Sequence, residues 1–180
     1  MNILLVVGLT CLLVLILFLV RELTDILAWG PLDFGFVWLM VLSTSIVYEL
    51  ITRKHKNKTY RLALAVALGT GFIMIWTNLA VGLIGSEDEP VNMIYLVLLA
   101  GGLIGALLVR LKARGLTITM GIMALGQVLI TLIALLAGWQ HLPSSSVSDI
   151  LKVNGFFFLL WQTKMYLFDP SCAFSLSDLY

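Results

Sequence analysis

Long apolar stretches alternate with short polar ones along the whole chain. A helix rises 1.5 Å per residue, so about 20 apolar residues cover about 30 Å of hydrocarbon. Against that length, the pattern predicts bilayer-crossing segments at 3–20, 34–51, 62–84, 91–109 and 116–138. A weaker candidate at 153–168 is short and interrupted by Gln162 and Lys164. It reads either as a tilted span or as an interfacial helix. The first stretch ends at Arg21-Glu22 and has the apolar run of a signal peptide. Met1-Asn2 carries no basic n-region, however, and no A-x-A site follows, which favours a retained span. Residues 22–33 form a connector in which Trp29, Gly30 and Pro31 combine an interfacial aromatic with helix breakers. The tail, 169–180, is polar and aperiodic and is expected to be poorly ordered.

The runs are continuously apolar rather than alternating, which excludes an outer-membrane barrel. In lipid each backbone polar group must bond within its own segment, so the segments are expected to be helices. The expected fold is all-α, a polytopic transmembrane helical bundle of five or six spans forming one domain over residues 1–180. Composition strengthens this reading: 61% of residues are hydrophobic and 12% charged, with a mean hydropathy of +1.05. A soluble domain is about half apolar and about a quarter charged. A chain of this size in water lacks the interior to hide so much apolar surface. The lipid bilayer is the first expected partner.

Charge orients the spans. Arg53, Lys54, Lys56, Lys58 and Arg61 put five basic residues in loop 53–61, and Arg110, Lys112 and Arg114 fill loop 110–115. Two spans separate these loops, so they share a side. Loops 85–90, which is acidic, and 139–149, which is serine-rich, fall opposite. Short basic loops stay cytoplasmic, so the N-terminus is expected inside and loops 85–90 and 139–149 outside. Net charge is only +1, which provides no global field for nucleic acid. The basic and aromatic pattern of a nucleic-acid binder is also missing. Nucleic acid is therefore not an expected partner.

Few residues suggest chemistry. Cys11 lies in an apolar run and Cys172 near the end, with no metal or CxxC spacing. The sequence contains no HExxH, GxSxG, P-loop or GxGxxG, so no catalytic set and no cofactor is expected. His55 and His141 fall on opposite expected sides. Asp149 and Lys152 read as the start of the last helix. Glu87, Asp88 and Glu89 place three carboxylates on one external turn. Oxygen ligands of this kind suit a hard cation, but no EF-hand spacing is present. A capping box of Ser86 and Glu89 with Pro90 in the first turn is the favoured explanation. Glu49 is acidic near membrane depth, where charges are costly and often functional. Arg53 stands four residues on, so an ion pair snorkelling to the interface competes with a proton or ion relay. Asn78, beside Trp76 and Thr77, and Gln127 are expected either to bond across helices or to line a small polar site between spans three and five.

Small residues crowd span four, where Gly101 and Gly105 form a GxxxG, with further glycines and alanines on spans three and five. Such faces pack a monomeric bundle or form a homo-oligomer seam through Gly101 and Gly105.

The stretch Trp76-Thr77-Asn78-Leu79-Ala80-Val81-Gly82-Leu83-Ile84-Gly85-Ser86-Glu87-Asp88-Glu89-Pro90-Val91-Asn92 resembles a segment shared by a group of small uncharacterised bacterial inner-membrane proteins. The likeness extends to Tyr95, to Gly101–Gly105, to Leu142-Pro143-Ser144 and to Asn154-Gly155-Phe156-Phe157. It implies a bacterial multi-pass protein of the inner membrane and carries no activity. From Gln162 onward the chain departs from the group's pattern, a fuller apolar helix followed by basic residues. The leading expectation is a non-enzymatic accessory or interaction subunit with a membrane-protein partner. The alternative is a small transporter or channel component for an ion or small polar solute, using Glu49, Asn78, Gln127 and the acidic turn. A membrane-embedded enzyme ranks third.

Overall fold

The computed structural model describes residues 3–24, 30–53, 55 and 57–168. The connector residues 25–29, Trp29 among them, and the tail 169–180 with Cys172 lie outside the described residues. The protein is all-α, with six α-helices and no strand among the described residues. Four helical stretches are long and apolar enough to cross a membrane: Leu32–Thr52, Lys58–Ala80, Pro90–Leu108 and Ala113–Leu136. Length alone suggests one domain, but the backbone divides into two compact units, Met1–Lys56 and Asn57–Tyr180.

The first unit packs α1 (Ile3–Thr24) against α2 (Pro31–Thr52). Near their connection the rings of Phe18 and Phe34 meet edge to face at 5.6 Å, a favourable aromatic arrangement. Helix α2 begins where its sequence dictates. Pro31 takes the first position, and Asp33 reaches back to accept the Gly30 N–H at 2.7 Å, satisfying a donor at the positive end of the helix.

The second unit holds α3 (Lys58–Ala80), α4 (Met93–Leu108), α5 (Ala113–Leu136) and α6 (Val147–Phe168). Helix α3 starts four residues before the apolar run because Asn57 caps it, its Oδ1 accepting the N–H groups of Thr59 at 2.8 Å and Tyr60 at 3.2 Å. It stops at Ala80, short of the expected 84. The N–H groups of Val81 and Gly82 both turn to the Thr77 carbonyl, and Gly82 takes φ +81, a left-handed conformation with no space for a side chain against the Ser86 backbone. Helix α4 ends in a Schellman motif. The Leu111 N–H reaches the Ala106 carbonyl at 3.0 Å and the Arg110 N–H the Leu107 carbonyl at 2.9 Å, with Arg110 where glycine usually stands. Arg110 and Leu111 are both left-handed, at φ 52 and 57.

The last helix departs most from expectation. It starts at Val147 rather than 153, because Ser146 caps it: Ser146 Oγ accepts the Asp149 N–H at 3.2 Å and donates to Asp149 Oδ2 at 2.5 Å. It packs against α5 and α3 and buries Ile150, Asn154, Phe157 and Trp161. That spacing of four, three and four residues is one continuous helical stripe. On α5 the buried Leu116, Met120, Met123, Gln127, Ile130 and Ala134 repeat it. Two such seams facing one another is the geometry of knobs into holes. Thus α6 is a core element of the bundle, packed along α5 and α3.

Glycine sets the α4–α5 contact. A Cβ at Gly102 would stand 2.6 Å from Met123 Sδ, and one at Gly105 would stand 3.0 Å from Thr119 Cγ2. Both helices approach closely because these side chains are absent. Gly101 has nothing within 4 Å. The expected GxxxG pair is therefore split: Gly105 faces α5, Gly102 rather than Gly101 shares that work, and Gly101 points away from the bundle.

Both ends of this unit are tied. Tyr60 OH donates to the Leu111 carbonyl at 2.8 Å, joining the start of α3 to the α4–α5 turn. At the other end a Cβ on Gly85 would lie 3.3 Å from the Pro143 carbonyl oxygen, so the loops after α3 and after α5 meet there.

Candidate functional site

The polar side chains of the second unit gather inside it. Asn154, 1% exposed, sits in the middle of the α6 stripe. Its Nδ2 donates to the Ile150 carbonyl one turn back at 2.8 Å, which fixes the amide orientation. Its Oδ1 then accepts two hydrogen bonds, from Tyr95 OH on α4 at 3.0 Å and from Gln127 Nε2 on α5 at 2.8 Å. Tyr95 and Gln127 are fully buried. One amide therefore joins three helices whose residues are 27 and 59 positions apart in sequence.

This orientation has a consequence for Gln127. With Nε2 committed to Asn154, Oε1 faces away and accepts no hydrogen bond from the described residues; Asn78 Oδ1 is likewise buried without a donor among them, as are Gln140 Oε1 and Ser145 Oγ nearer the loops. A buried polar atom left unmatched costs about 1–3 kcal/mol, so the oxygens of Gln127 and Asn78 are unspent groups on the helices of the bundle. The sequence leads one to expect that Asn78 and Gln127 either bond across helices or line a small polar site between α3 and α5. Gln127 does bond across helices, to Asn154 on α6, a residue that sequence reading placed only in a weak span.

The remaining candidates lie elsewhere. Glu49 is buried on α2, and its Oε1 pairs with Arg53 Nε at 3.3 Å. The i,i+4 ion pair is thus formed. Glu87 and Asp88 are exposed and Glu89 half-buried. No group of three or more His, Cys, Asp or Glu side chains among the described residues could hold a metal ion, so the acidic turn does not close into a cation site. The capping box expected there does not form either. Glu89 itself precedes the 3-10 turn Pro90–Asn92, which has no side-chain cap. Asn92 holds the loop instead. Its Oδ1 accepts the N–H groups of Leu83 at 3.1 Å and Ile84 at 2.9 Å, and its Nδ2 donates to the carbonyls of Ile84 at 3.2 Å and Ser86 at 2.7 Å.

Sequence reading missed Tyr95, Asn92 and Asn154 as working residues. A usable signal existed for Asn154, a single amide in the run from Val153 to Trp161, since a lone amide inside an apolar helix needs a partner on another helix. Tyr95 gave less, because a tyrosine near a helix end also reads as an interfacial anchor.

The fold and this interior define a class: an all-α chain with membrane-crossing helices and an amide-centred polar core. No protein-family model, curated protein or solved structure matches it.

Proposed function

We propose that the chain is a multi-pass protein of the bacterial inner membrane with a non-enzymatic role, an accessory or interaction subunit. Six helices would cross, α6 among them, since its 22 residues span about 33 Å at 1.5 Å each. The N-terminus and the segments 53–61 and 110–115 would be cytoplasmic, and 85–90 and 139–149 periplasmic. The Tyr60–Leu111 bond supports the pairing of the two basic segments, and the approach of Gly85 to Pro143 supports the pairing of the other two. Membership of the group sharing the segment Trp76–Asn92 is part of the same reading.

The observation that carries the accessory role is the way Asn154 spends its hydrogen bonds. All three go to neighbouring helix groups within the bundle, as they do in a fastening rather than in a binding surface. The outward positions are large and apolar, among them Val97, Ile104 and Leu108 on α4 and Ile118, Ile122 and Leu125 on α5. They suit lipid or the helices of a partner. One observation favours the second reading, a small transporter or channel component: the buried Gln127 Oε1 and Asn78 Oδ1 remain open to a donor.

Reconstitution separates the two. Purified protein in proteoliposomes is expected to carry no flux of monovalent cations or small polar solutes above empty vesicles, and to retain one stoichiometric membrane partner in mild detergent. Flux that disappears in both Asn78→Ala and Gln127→Ala, with folding intact, would reject the accessory role in favour of transport.

A further inference from the structure

We propose that the end of the second unit closed by the Tyr60–Leu111 bond is a binding surface for an anionic phospholipid headgroup. This rests on the membrane reading above and gives that reading a specific lipid partner.

Two stretches distant in sequence meet here. Tyr60 OH donates to the Leu111 carbonyl at 2.8 Å, across 51 residues. Lys58 and Arg61 flank Tyr60, and Arg110 and Lys112 flank Leu111, with Arg114 two residues further on; all five are exposed. The acidic side chains described in this unit, Glu87, Asp88, Glu89 and Asp149, belong to the loops and helix start at the other end. The ion pairs of the described residues, Arg21–Glu22 and Glu49–Arg53, both belong to the first unit. Among the described residues, no acidic side chain pairs with any of these five cations.

The backbone is held for this arrangement. Arg110 and Leu111 are consecutive non-glycine residues in the left-handed region, φ 52 and 57. Such conformations persist only where surrounding structure over-determines them, and they concentrate at functional sites. The Schellman bonds determine the turn from the α4 side and the Tyr60 hydroxyl from the α3 side. The result presents Arg110 and Lys112 on either side of a carbonyl already taken by Tyr60.

The occupant follows from charge and from what adjoins the patch. Arginine and lysine together match a phosphate, arginine by its planar fork and lysine as a point charge. Directly along the helices from the cations stand exposed apolar side chains: Leu62 on α3, Leu107 and Leu108 on α4, and Ile118 on α5. A cationic cluster that continues into an acyl-facing surface fits a molecule with a phosphate head and hydrocarbon tails. Basic pockets between membrane helices bind anionic headgroups in this way.

The full chain is reconstituted in phosphatidylcholine nanodiscs doped with phosphatidylglycerol, and the lipids retained after release into detergent are counted by native mass spectrometry. Wild type is expected to retain phosphatidylglycerol well above its mole fraction. Each basic side chain near an anionic surface contributes about fivefold in affinity, so Arg110→Gln, Lys112→Gln and Arg114→Gln together should lower retention on the order of a hundredfold at low salt. Lys152→Gln, which removes one cation at the opposite end, should leave it unchanged. Tyr60→Phe keeps every charge and loses only the tie, and is expected to lower retention severalfold. Equal losses in Lys152→Gln and in each single basic variant, or full retention in Tyr60→Phe, would overturn an assembled site in favour of diffuse charge. Displacement by millimolar inorganic phosphate would overturn the lipid as occupant. Protein that inserts into pure phosphatidylcholine yet shows no preference defeats this proposal alone, whereas failure to insert into any bilayer defeats the membrane reading itself.

Discussion

The amide of Asn154 offers the sharpest test of how the bundle is held. Replacing it with leucine keeps the branched shape of the side chain and removes all three of its hydrogen bonds. The helix loses little from the missing donor to Ile150, whose carbonyl keeps its own helical partner. The cost falls on Tyr95 OH and Gln127 Nε2, two buried donors left facing a methyl group. Interhelical hydrogen bonds in membrane proteins are worth about 0.6 kcal/mol on average and at most about 1.7. Two such bonds therefore predict a loss of about 1–3 kcal/mol for Asn154→Leu. The assay is reversible unfolding in mixed micelles, followed by circular dichroism against the mole fraction of SDS. A double-mutant cycle with Gln127→Leu then isolates the pair. When both partners become apolar the unmatched donor disappears, so the double mutant should recover about 1 kcal/mol relative to the sum of the singles. A single mutant as stable as wild type, or a cycle that closes with no coupling, would refute the claim that Asn154 fastens α4, α5 and α6.

Two further outcomes follow from the same geometry. Asn92→Ala removes the four hydrogen bonds that hold residues 83–86, and amide exchange there should accelerate by on the order of a hundredfold while the helices keep their protection, since local opening is governed by local contacts. Gly102→Leu should destabilise the monomer by about 1–3 kcal/mol, because the flexible end of Met123 occupies the space and must move aside, whereas Gly101→Leu should leave the monomer folded. If Gly101→Leu also dissolves a detergent-stable dimer, analytical ultracentrifugation will have located an oligomer seam on the outer face of α4.

Much of the architecture was legible because it depends on one physical quantity, the length of uninterrupted apolar sequence. Helices α2, α4 and α5 lie within three residues of their expected limits at every end. The larger departures are the end of α1, which runs through Arg21-Glu22 to Thr24, both ends of α3 and the start of α6; the starts of α3 and α6 are decided by a cap rather than by hydropathy. Asn57 extends α3 backwards through Lys58 and Arg61, residues that a hydropathy window rejects. Ser146 and Asp149 do the same for α6. The polar core was less legible for a different reason. Hydropathy discounts an asparagine wherever it occurs, so the residue that organises the interior counted against its own helix. The ion pair of Glu49 and Arg53 was readable because its geometry is local, four residues along one helix. The bond between Tyr95 and Asn154 was not, because nothing in the sequence fixes which distant helices meet.

The position of the amides within the α5–α6 seam explains why a bundle so apolar has one register. Lipid tails solvate leucine as well as another leucine does, so apolar contacts alone would let α6 slide by a turn along α5 at little cost. A single polar residue at a seam position removes that freedom, because only one register gives it a partner. Here Asn154 and Gln127 occupy the repeating four-three positions of their helices, and Tyr95 adds a third point of reference from α4. Sliding α6 by one turn, about 5.4 Å, would break both interhelical bonds and strand Tyr95 OH, Gln127 Nε2 and Asn154 Oδ1 without partners. The same argument accounts for α6 being less apolar than α4 and α5 while lying against two other helices. A helix buried on its polar-bearing side does not need the apolar content of a lipid-exposed one, and it can carry the amide that the others require.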